Sequence, residues 1–184
     1  MTNSDICYGE QLARRRVPRG GGMMGPVRSK RAAEGGRQTK GSTIMKISAR
    51  NQIKGTVKTI REGAVNAVVV ICRGNHNPIK ADITMESVKE LGLAEGKECY
   101  AVIKATNVMF ATQKIEGISA RNQIEGTVVK VVEGAVNGHV TIEDEYGVRV
   151  SGSITNEAIE ALELAEGKKA VAIVKATDVM VAVD

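Results

Sequence analysis

Tryptophan is absent from this 184-residue chain, and there are only one phenylalanine and three tyrosines. Barrels that bind single-stranded nucleic acid stack bases on aromatic rings. Beyond residue 44 only Tyr100, Phe110 and Tyr146 could do so, which disfavours that class. Histidine occurs twice, as His76 and His139, at positions that do not correspond in the repeat described below. Neither a repeated metal site nor a His-based catalytic triad is therefore supported. The three cysteines, Cys7, Cys72 and Cys99, form no CxxC pair and read as incidental thiols of a reducing cytoplasm. No apolar run reaches the ~18 residues of a membrane helix, and the N-terminus has charged residues and glycine where a signal peptide needs an apolar stretch. A soluble, cytoplasmic protein is expected.

What the chain does have is the same text twice. Ile47-Ser48-Ala49-Arg50-Asn51-Gln52-Ile53 returns unchanged as Ile118-Ser119-Ala120-Arg121-Asn122-Gln123-Ile124, an offset of 71 residues. The offset holds without a gap through Glu62 to Asn66 and Glu133 to Asn137, through Leu93 to Lys97 and Leu164 to Lys168, and through Lys104-Ala105-Thr106 and Lys175-Ala176-Thr177. Such a period exceeds the ~20–50 residues of solenoid units, so each copy is expected to be a complete fold. A unit of ~70 residues is marginal alone, and pairing of the copies or self-association is expected to supply buried area.

The net charge of +5 is unevenly distributed. Residues 1–44 hold nine Lys/Arg against three Asp/Glu, and the remainder holds 17 against 18. With Arg14-Arg15-Arg16, Gly20-Gly21-Gly22 and few apolar residues, this basic tail is expected to be disordered. It reads either as an arm that touches nucleic acid or as a flexible extension from a start codon chosen too early, Met45 standing just before the first repeat; the second is preferred. The organisation is a tail at 1–44, a first module at 45–114 and a second at 115–184.

Within each copy the apolar residues follow the short period of strands. Ile53, Gly55 and Val57 alternate with Lys54, Thr56 and Lys58, Val65 to Ile71 is rich in β-branched residues, and Tyr100 to Ile103 and Val108 to Phe110 are further apolar runs. Gly63 and Gly134 open tight turns. One segment per copy differs: Val88 and Leu91, three apart after Thr84 and Glu86, predict a short helix capped by Thr84, approximated by Thr155, Glu157, Ile159 and Leu162. Three strands, a helix, a Gly-Lys turn and two strands fit an all-β chain of two tandem five-stranded barrels of the oligonucleotide/oligosaccharide-binding (OB) kind, each with one short helix.

The Ile-Ser-Ala-Arg-Asn-Gln opening, the Gly-Thr-Val after it, the Gly-Ala-Val-Asn turn, the Ile-Thr before the helix and the Val-Ile-Lys-Ala-Thr ending together resemble the Mop domain of the molbindins, over residues 46–184. The resemblance implies an OB-like barrel that binds molybdate or tungstate between neighbouring modules, and a homotrimer of tandem chains. It implies oxyanion contacts at Ser48, Ala49, Arg50, Thr84, Ser87, Lys104 and Ala105, and again at Ser119, Ala120, Arg121, Thr155, Lys175 and Ala176. The molybdenum would be held only as its oxyanion, with no directly ligated metal and no covalent cofactor. Hydroxyls, backbone N–H groups and cations are what a tetrahedral dianion needs, since it offers acceptors and no donors. Ala158 stands where the first copy has Ser87, so the copies are expected to bind unequally.

Each residue also has a plainer structural explanation. Thr84 caps a helix, Arg50 and Lys104 sit at strand ends, Asn51-Gln52 satisfies backbone groups at turns, and Met109 and Met180 fill the core. Gly92 to Lys97 resembles a phosphate loop but is one residue short of GxxxxGK and loses its first glycine at Glu163; it reads as a turn. Glu143-Asp144-Glu145 reads as a solvated hairpin tip. No enzyme motif emerges. The expected function is intracellular storage and homeostasis of the oxyanion. The alternatives are a ligand-sensing part of a molybdate-responsive regulator or transporter or, less favoured, an OB nucleic-acid binder. Residues 1–44 hold neither a helix-turn-helix pattern nor a nucleotide loop.

Overall fold

The computed structural model describes residues 46–74 and 77–184; the tail of residues 1–44, expected to be disordered, lies outside the described residues, as does His76. Both copies follow the expected order. The first is β1 (Asn51–Glu62), β2 (Asn66–Cys72), β3 (Ile79–Thr84), α1 (Met85–Glu90), β4 (Glu98–Ile103), a 3-10 turn (Ala105–Asn107) and β5 (Met109–Ala111). The second is β6 (Asn122–Val132), β7 (Asn137–Glu143), β8 (Arg149–Thr155), α2 (Asn156–Ala161), β9 (Lys169–Val174), a 3-10 turn (Ala176–Asp178) and β10 (Val179–Ala182). No helix among the described residues is long and apolar enough to cross a membrane.

The local chemistry explains the elements. On β1, Ile53, Gly55 and Val57 face inward while Lys54 and Thr56 face out, the alternation of a strand with one wet face. Gly63 N–H donates to Asn66 O (2.8 Å) and Gly134 N–H to Asn137 O (3.1 Å), closing the two expected tight turns. The Gly-Lys segment is a turn, as read: Gly96 N–H reaches Val57 O and Val57 N–H reaches Lys97 O, beside the bulge in β1 between Val57 and Thr59. Lys97 Nζ caps the end of α1 through Leu91 O (2.6 Å) and Gly92 O (3.0 Å). The acidic hairpin tip is an Asx turn, with Asp144 Oδ1 accepting from the N–H groups of Tyr146 and Val148.

The expectation that each copy folds by itself is corrected. The two sheets run β10-β4-β1-β2-β3 and β5-β9-β6-β7-β8, all antiparallel, so each takes its outermost strand from the other copy. Met109, Phe110 and Ala111 pair with Ile173, Ala172 and Val171, while Val179 to Ala182 pair with Ile103 to Tyr100. Without the exchange β4 and β9 would each present an open edge. One continuous core runs through both sheets, from Ile53 and Val57 to Val174 and Val179. The central strands are buried on both faces: Tyr100 and Val102 pack with Ala49, and Val171 and Ile173 with Ala111 and Ala120.

Two buried carboxamides lock the exchange. Asn51 Nδ2 donates to Ser151 O (2.9 Å) while its Oδ1 accepts from Ser151 N–H (2.7 Å). Asn122 repeats this on Lys80, donating to its O (2.9 Å) and accepting from its N–H (2.7 Å). Asn51 and Asn122 are each 2% exposed and are the only fully buried polar residues among those described. Assigning the Asn-Gln pair to structure was right, but the asparagines bind a strand of the other copy rather than their own turn. The glutamines act locally: Gln52 donates to Ala49 O, and Gln123 makes a paired bond with the backbone of Ile115.

The copies also differ in complementary ways. A Cβ on Gly152 of β8 would lie 2.4 Å from Cε2 of Phe110, so β5 of the first copy can lie flat only on a glycine. In the other barrel the corresponding positions hold Val181 on β10 and Ala81 on β3, strands that pack together. Likewise a Cβ on Gly138 would lie 2.4 Å from Cδ1 of Ile159, where the first copy pairs Ala67 with Val88. A larger partner faces a smaller one in each case.

Of the three cysteines, Cys7 lies outside the described residues, and Cys72 is buried against Val70. Cys99 is free, and burial pushes its thiol up to about 11, with Lys97 opposing weakly, so it remains protonated and inert.

Replacing Asn51 or Asn122 by Ala strips partners from a buried N–H and C=O, and each change is expected to cost about 2–4 kcal/mol in urea unfolding. Gly152→Ala should destabilise by about 1–3 kcal/mol through overpacking. Adding Phe110→Val recreates the Val181–Ala81 arrangement and should recover part of that loss, a coupling that a double-mutant cycle in urea measures.

Candidate functional site

The thirteen residues singled out in the sequence fall into two places. Thr84, Ser87 and Thr155 stand at the starts of α1 and α2. Thr84 Oγ1 accepts from Ser87 N–H (3.1 Å) and lies 2.9 Å from Ser87 Oγ. Thr155 Oγ1 accepts from Ala158 N–H (3.2 Å), without a second hydroxyl. The turn before each helix is tied in, with Met85 N–H donating to Val65 O and Asn156 N–H to Val136 O. Both threonines are thus caps, and their outer surfaces are exposed. Beside Thr155 an open pocket of about 340 Å3 is lined by Ala135, Val136, Asn156 and Glu157.

The second place is the seam where one copy lies on the third strand of the other. A cavity of about 550 Å3 is lined there by Ser119, Arg121, Lys175, Ala176 and Thr177 of the second copy and by Arg61, Val68, Lys80 and Asp82 of the first. The repeated motif accounts for its construction. Asn122 hooks the backbone of Lys80, Ala120 plugs into the cluster with Val171 and Ile173, and the side chains on either side of Ala120, Ser119 and Arg121, stay exposed at the seam. The 3-10 turn beginning at Ala176 packs on β3 and brings Lys175 and Thr177 in from the far side. On β3, Lys80 and Asp82 share the outward face with Thr84, because alternate residues of a strand point the same way. Thr84 itself does not line this cavity.

At the corresponding seam Asn51 hooks Ser151 and the turn at Ala105 packs on β8, with Ser48, Arg50 and Lys104, the counterparts of Ser119, Arg121 and Lys175, exposed. Ala49 and Ala105 are buried, so only their backbones are available to a ligand. The opposing wall differs: the row Arg61–Val68–Asp82 becomes Val132–His139–Ser153. Ser151, in the place of Lys80, has its hydroxyl 2.9 Å from that of Thr141. Arg61, Lys80 and Asp82 escaped sequence reasoning because it searched for repeated residues, and these three do not repeat. Four cations and one carboxylate line the first seam, a field suited to an anion. Among the described residues no group of three or more His, Cys, Asp or Glu side chains could hold a metal ion.

Met109 and Met180 correct another expectation: they are not core residues but are 44% and 47% exposed on β5 and β10. Other exposed apolar residues also recur in pairs, Val65 with Val136 at 73% and 70% and Ile47 with Ile118 at 50% and 36%.

A family model described as the TOBE domain matches residues 47–110 and again 118–181. The molybdenum transport protein ModE of Azotobacter vinelandii is 41% identical over 142 residues, covering 77% of this chain and 53% of that protein. The molybdenum-pterin-binding protein MopA of Rhodobacter capsulatus is 37% identical, with 77% and 54% covered. The chain thus spans about half the length of these curated relatives. Among solved structures, the cytoplasmic molybdate-binding protein ModG with molybdate bound aligns with a TM-score of 0.74 at 44% identity, over 76% of this chain and 100% of that one.

Because Thr84 and Thr155 cap their helices without any ligand, Thr84→Ala and Thr155→Ala should each lower ligand-free stability by about 1 kcal/mol in urea unfolding.

Proposed function

This chain belongs to the TOBE-domain family, and from that premise we propose that it binds molybdate or tungstate in the cytoplasm, as a store or buffer of the oxyanion. The observation that carries the reading is the seam, where Ser119, Arg121, Lys175 and Thr177 of one copy meet Arg61 and Lys80 of the other around a cavity. Hydroxyls and cations converge there on a space lined also by Ala176, and hydroxyls and cations are the donors a tetrahedral dianion requires. The assigned contacts are Ser119, Ala120, Arg121, Lys175 and Ala176 at this seam, and Ser48, Ala49, Arg50, Lys104 and Ala105 at its counterpart. Thr84, Ser87 and Thr155 form separate helix-start contacts. The role is binding rather than catalysis, in modules at 45–114 and 115–184 that act as an exchanged pair.

The cavity is wide for a single anion, since a water molecule's share of liquid is about 30 Å3, and in one chain it stays open to solvent. A dianion held there keeps much of its hydration unless another surface covers it. The paired exposed residues Ile47 and Ile118, Val65 and Val136, and Met109 and Met180 supply such a surface in duplicate. We therefore assign the working form to a homotrimer whose neighbours close the sites. A second reading, that these modules are the ligand-sensing part of a regulator or transporter, is supported by the ModE relatives, of which the chain spans about half.

Titration calorimetry should show molybdate binding that Arg50→Ala with Arg121→Ala weakens about tenfold or more, because charge-assisted hydrogen bonds are the stronger ones. Native mass spectrometry should show three chains with molybdate retained, and Met109→Lys with Met180→Lys should reduce the assembly. Unchanged affinity in the arginine variant would sink the site assignment, and a single chain that binds molybdate in full would sink the trimer.

A further inference from the structure

Each copy's third strand, β3 or β8, lies at the end of its sheet, so half of its backbone groups have no neighbouring strand. The bonds already described show which half. Asn122 takes both the N–H and the C=O of Lys80, and Met85 N–H reaches Val65 O, so Ala81 and Ile83 bond to β2 while Lys80, Asp82 and Thr84 turn their backbone groups to the open edge. The phase is the same on β8: Asn51 takes Ser151, Asn156 N–H reaches Val136 O, and Ser153 turns to the edge. Asp82 lines the first seam's cavity with Ser119, Arg121, Lys175 and Thr177. We propose that the backbone N–H of Asp82, and that of Ser153 in the other seam, donates a hydrogen bond to the bound oxyanion. The inference rests on reading the seams as molybdate sites and adds one donor to each.

An N–H on an open edge must find its partner outside the sheet, and among the described residues no backbone group outside the ladders takes either of these two. A charged oxygen suits them better than a water molecule, because an N–H bond to an oxyanion is the stronger kind. Two residues earlier Asn122 pins Lys80, and Asn51 pins Ser151, so the N–H that follows is held in position before any ligand arrives. The side chain of Asp82 plays no part in this contact, and its Oδ1 is buried. The C=O of Asp82 shares the edge as an acceptor for the seam's cations. A main-chain donor is indifferent to the side chain it carries, which accounts for Asp in one copy and Ser in the other at the same place in the ladder. Ser119, Arg121 and Lys175 belong to the second copy and Asp82 to the first, so an anion bonded to both joins the copies.

The test is amide hydrogen exchange resolved to single residues, on the full chain with and without molybdate. Exchange at Asp82 and Ser153 should slow about tenfold or more when molybdate is bound, as their N–H groups pass from water to the anion. Calorimetry on two double variants gives a second measurement. Asp82→Pro with Ser153→Pro removes both N–H groups at places where an edge strand tolerates proline, whereas Asp82→Ala with Ser153→Ala changes the same side chains and keeps them. The proline pair should bind molybdate about tenfold more weakly than the alanine pair. Thermal unfolding checks that both pairs fold, and if the proline pair does not, the exchange rates of the wild type decide. Molybdate bound with both amides exchanging as before, or equal affinity in the two folded pairs, would overturn the inference while leaving the seam assignment intact. Absence of molybdate binding by the wild type would overturn this inference and the proposed function together.

Discussion

Everything in this chain hangs on two side-chain amides. Asn51 and Asn122 each close a two-point bond with the backbone of the other copy's third strand, at Ser151 and at Lys80. Because both are buried, water does not compete for these bonds, and leaving either partner unmet would be expensive. The bond fixes more than the pairing of the copies. Residues just before each asparagine are carried over the partner strand, and the 3-10 turn after the fourth strand settles on it from the other side. The wall that an anion would face is therefore laid down by the same contacts that fold the protein. Ligand affinity and fold stability should respond together to changes at these positions, whereas changes at Ser119 or Lys175 should touch affinity alone.

Strand exchange turns duplication into architecture. A copy whose last strand lies in the neighbouring sheet cannot finish its own barrel, so two copies in one chain replace an encounter between two chains. Once joined, the copies were free to diverge wherever the partner compensated. Phe110 gained bulk opposite a glycine at 152, while Val181 lies on a strand packed against that of Ala81; Ile159 presses on Gly138 where Val88 stands in the copy with Ala67. A pair of first copies would set Phe110 on Ala81, with a methyl group where the observed pairing has only space. Sizes matched in this way favour pairing of unlike copies over like ones. The single phenylalanine of the chain is spent on that discrimination.

Much of this was legible in the sequence, and the limits have physical causes. Strand alternation and β-branched runs located the strands, Thr84 and Thr155 marked the helix starts, and the glycines marked the turns, because each of these signals is local. The exchange was invisible because a strand pairs through backbone atoms, and Met109 to Ala111 carries nothing that says which sheet will receive it. Met109 and Met180 were misplaced for a related reason. An apolar side chain on an outermost strand has the periodicity of a core residue whether or not anything covers it. Repetition drew attention to Ser119, Arg121 and Lys175, which line one cavity. It could not identify Arg61, Lys80 and Asp82, which differ between the copies and meet those donors only after the exchange.

The unequal seams bear on how such a protein could hold anions at all. Four cations line one cavity, and like charges gathered in one place raise the local positive potential. Asp82 is the one carboxylate among the residues that line this first seam. The second has no such carboxylate, but it also lacks counterparts of Arg61 and Lys80, since Val132 and Ser151 stand there. Each seam thus tempers its positive charge by a different route, one by adding an anion and the other by omitting cations. In the second seam Arg50 and Lys104 are the cations that the repeat supplies, and both are exposed. The duplication keeps one scaffold and, through three unrepeated side chains, gives its two halves different electrostatic surroundings.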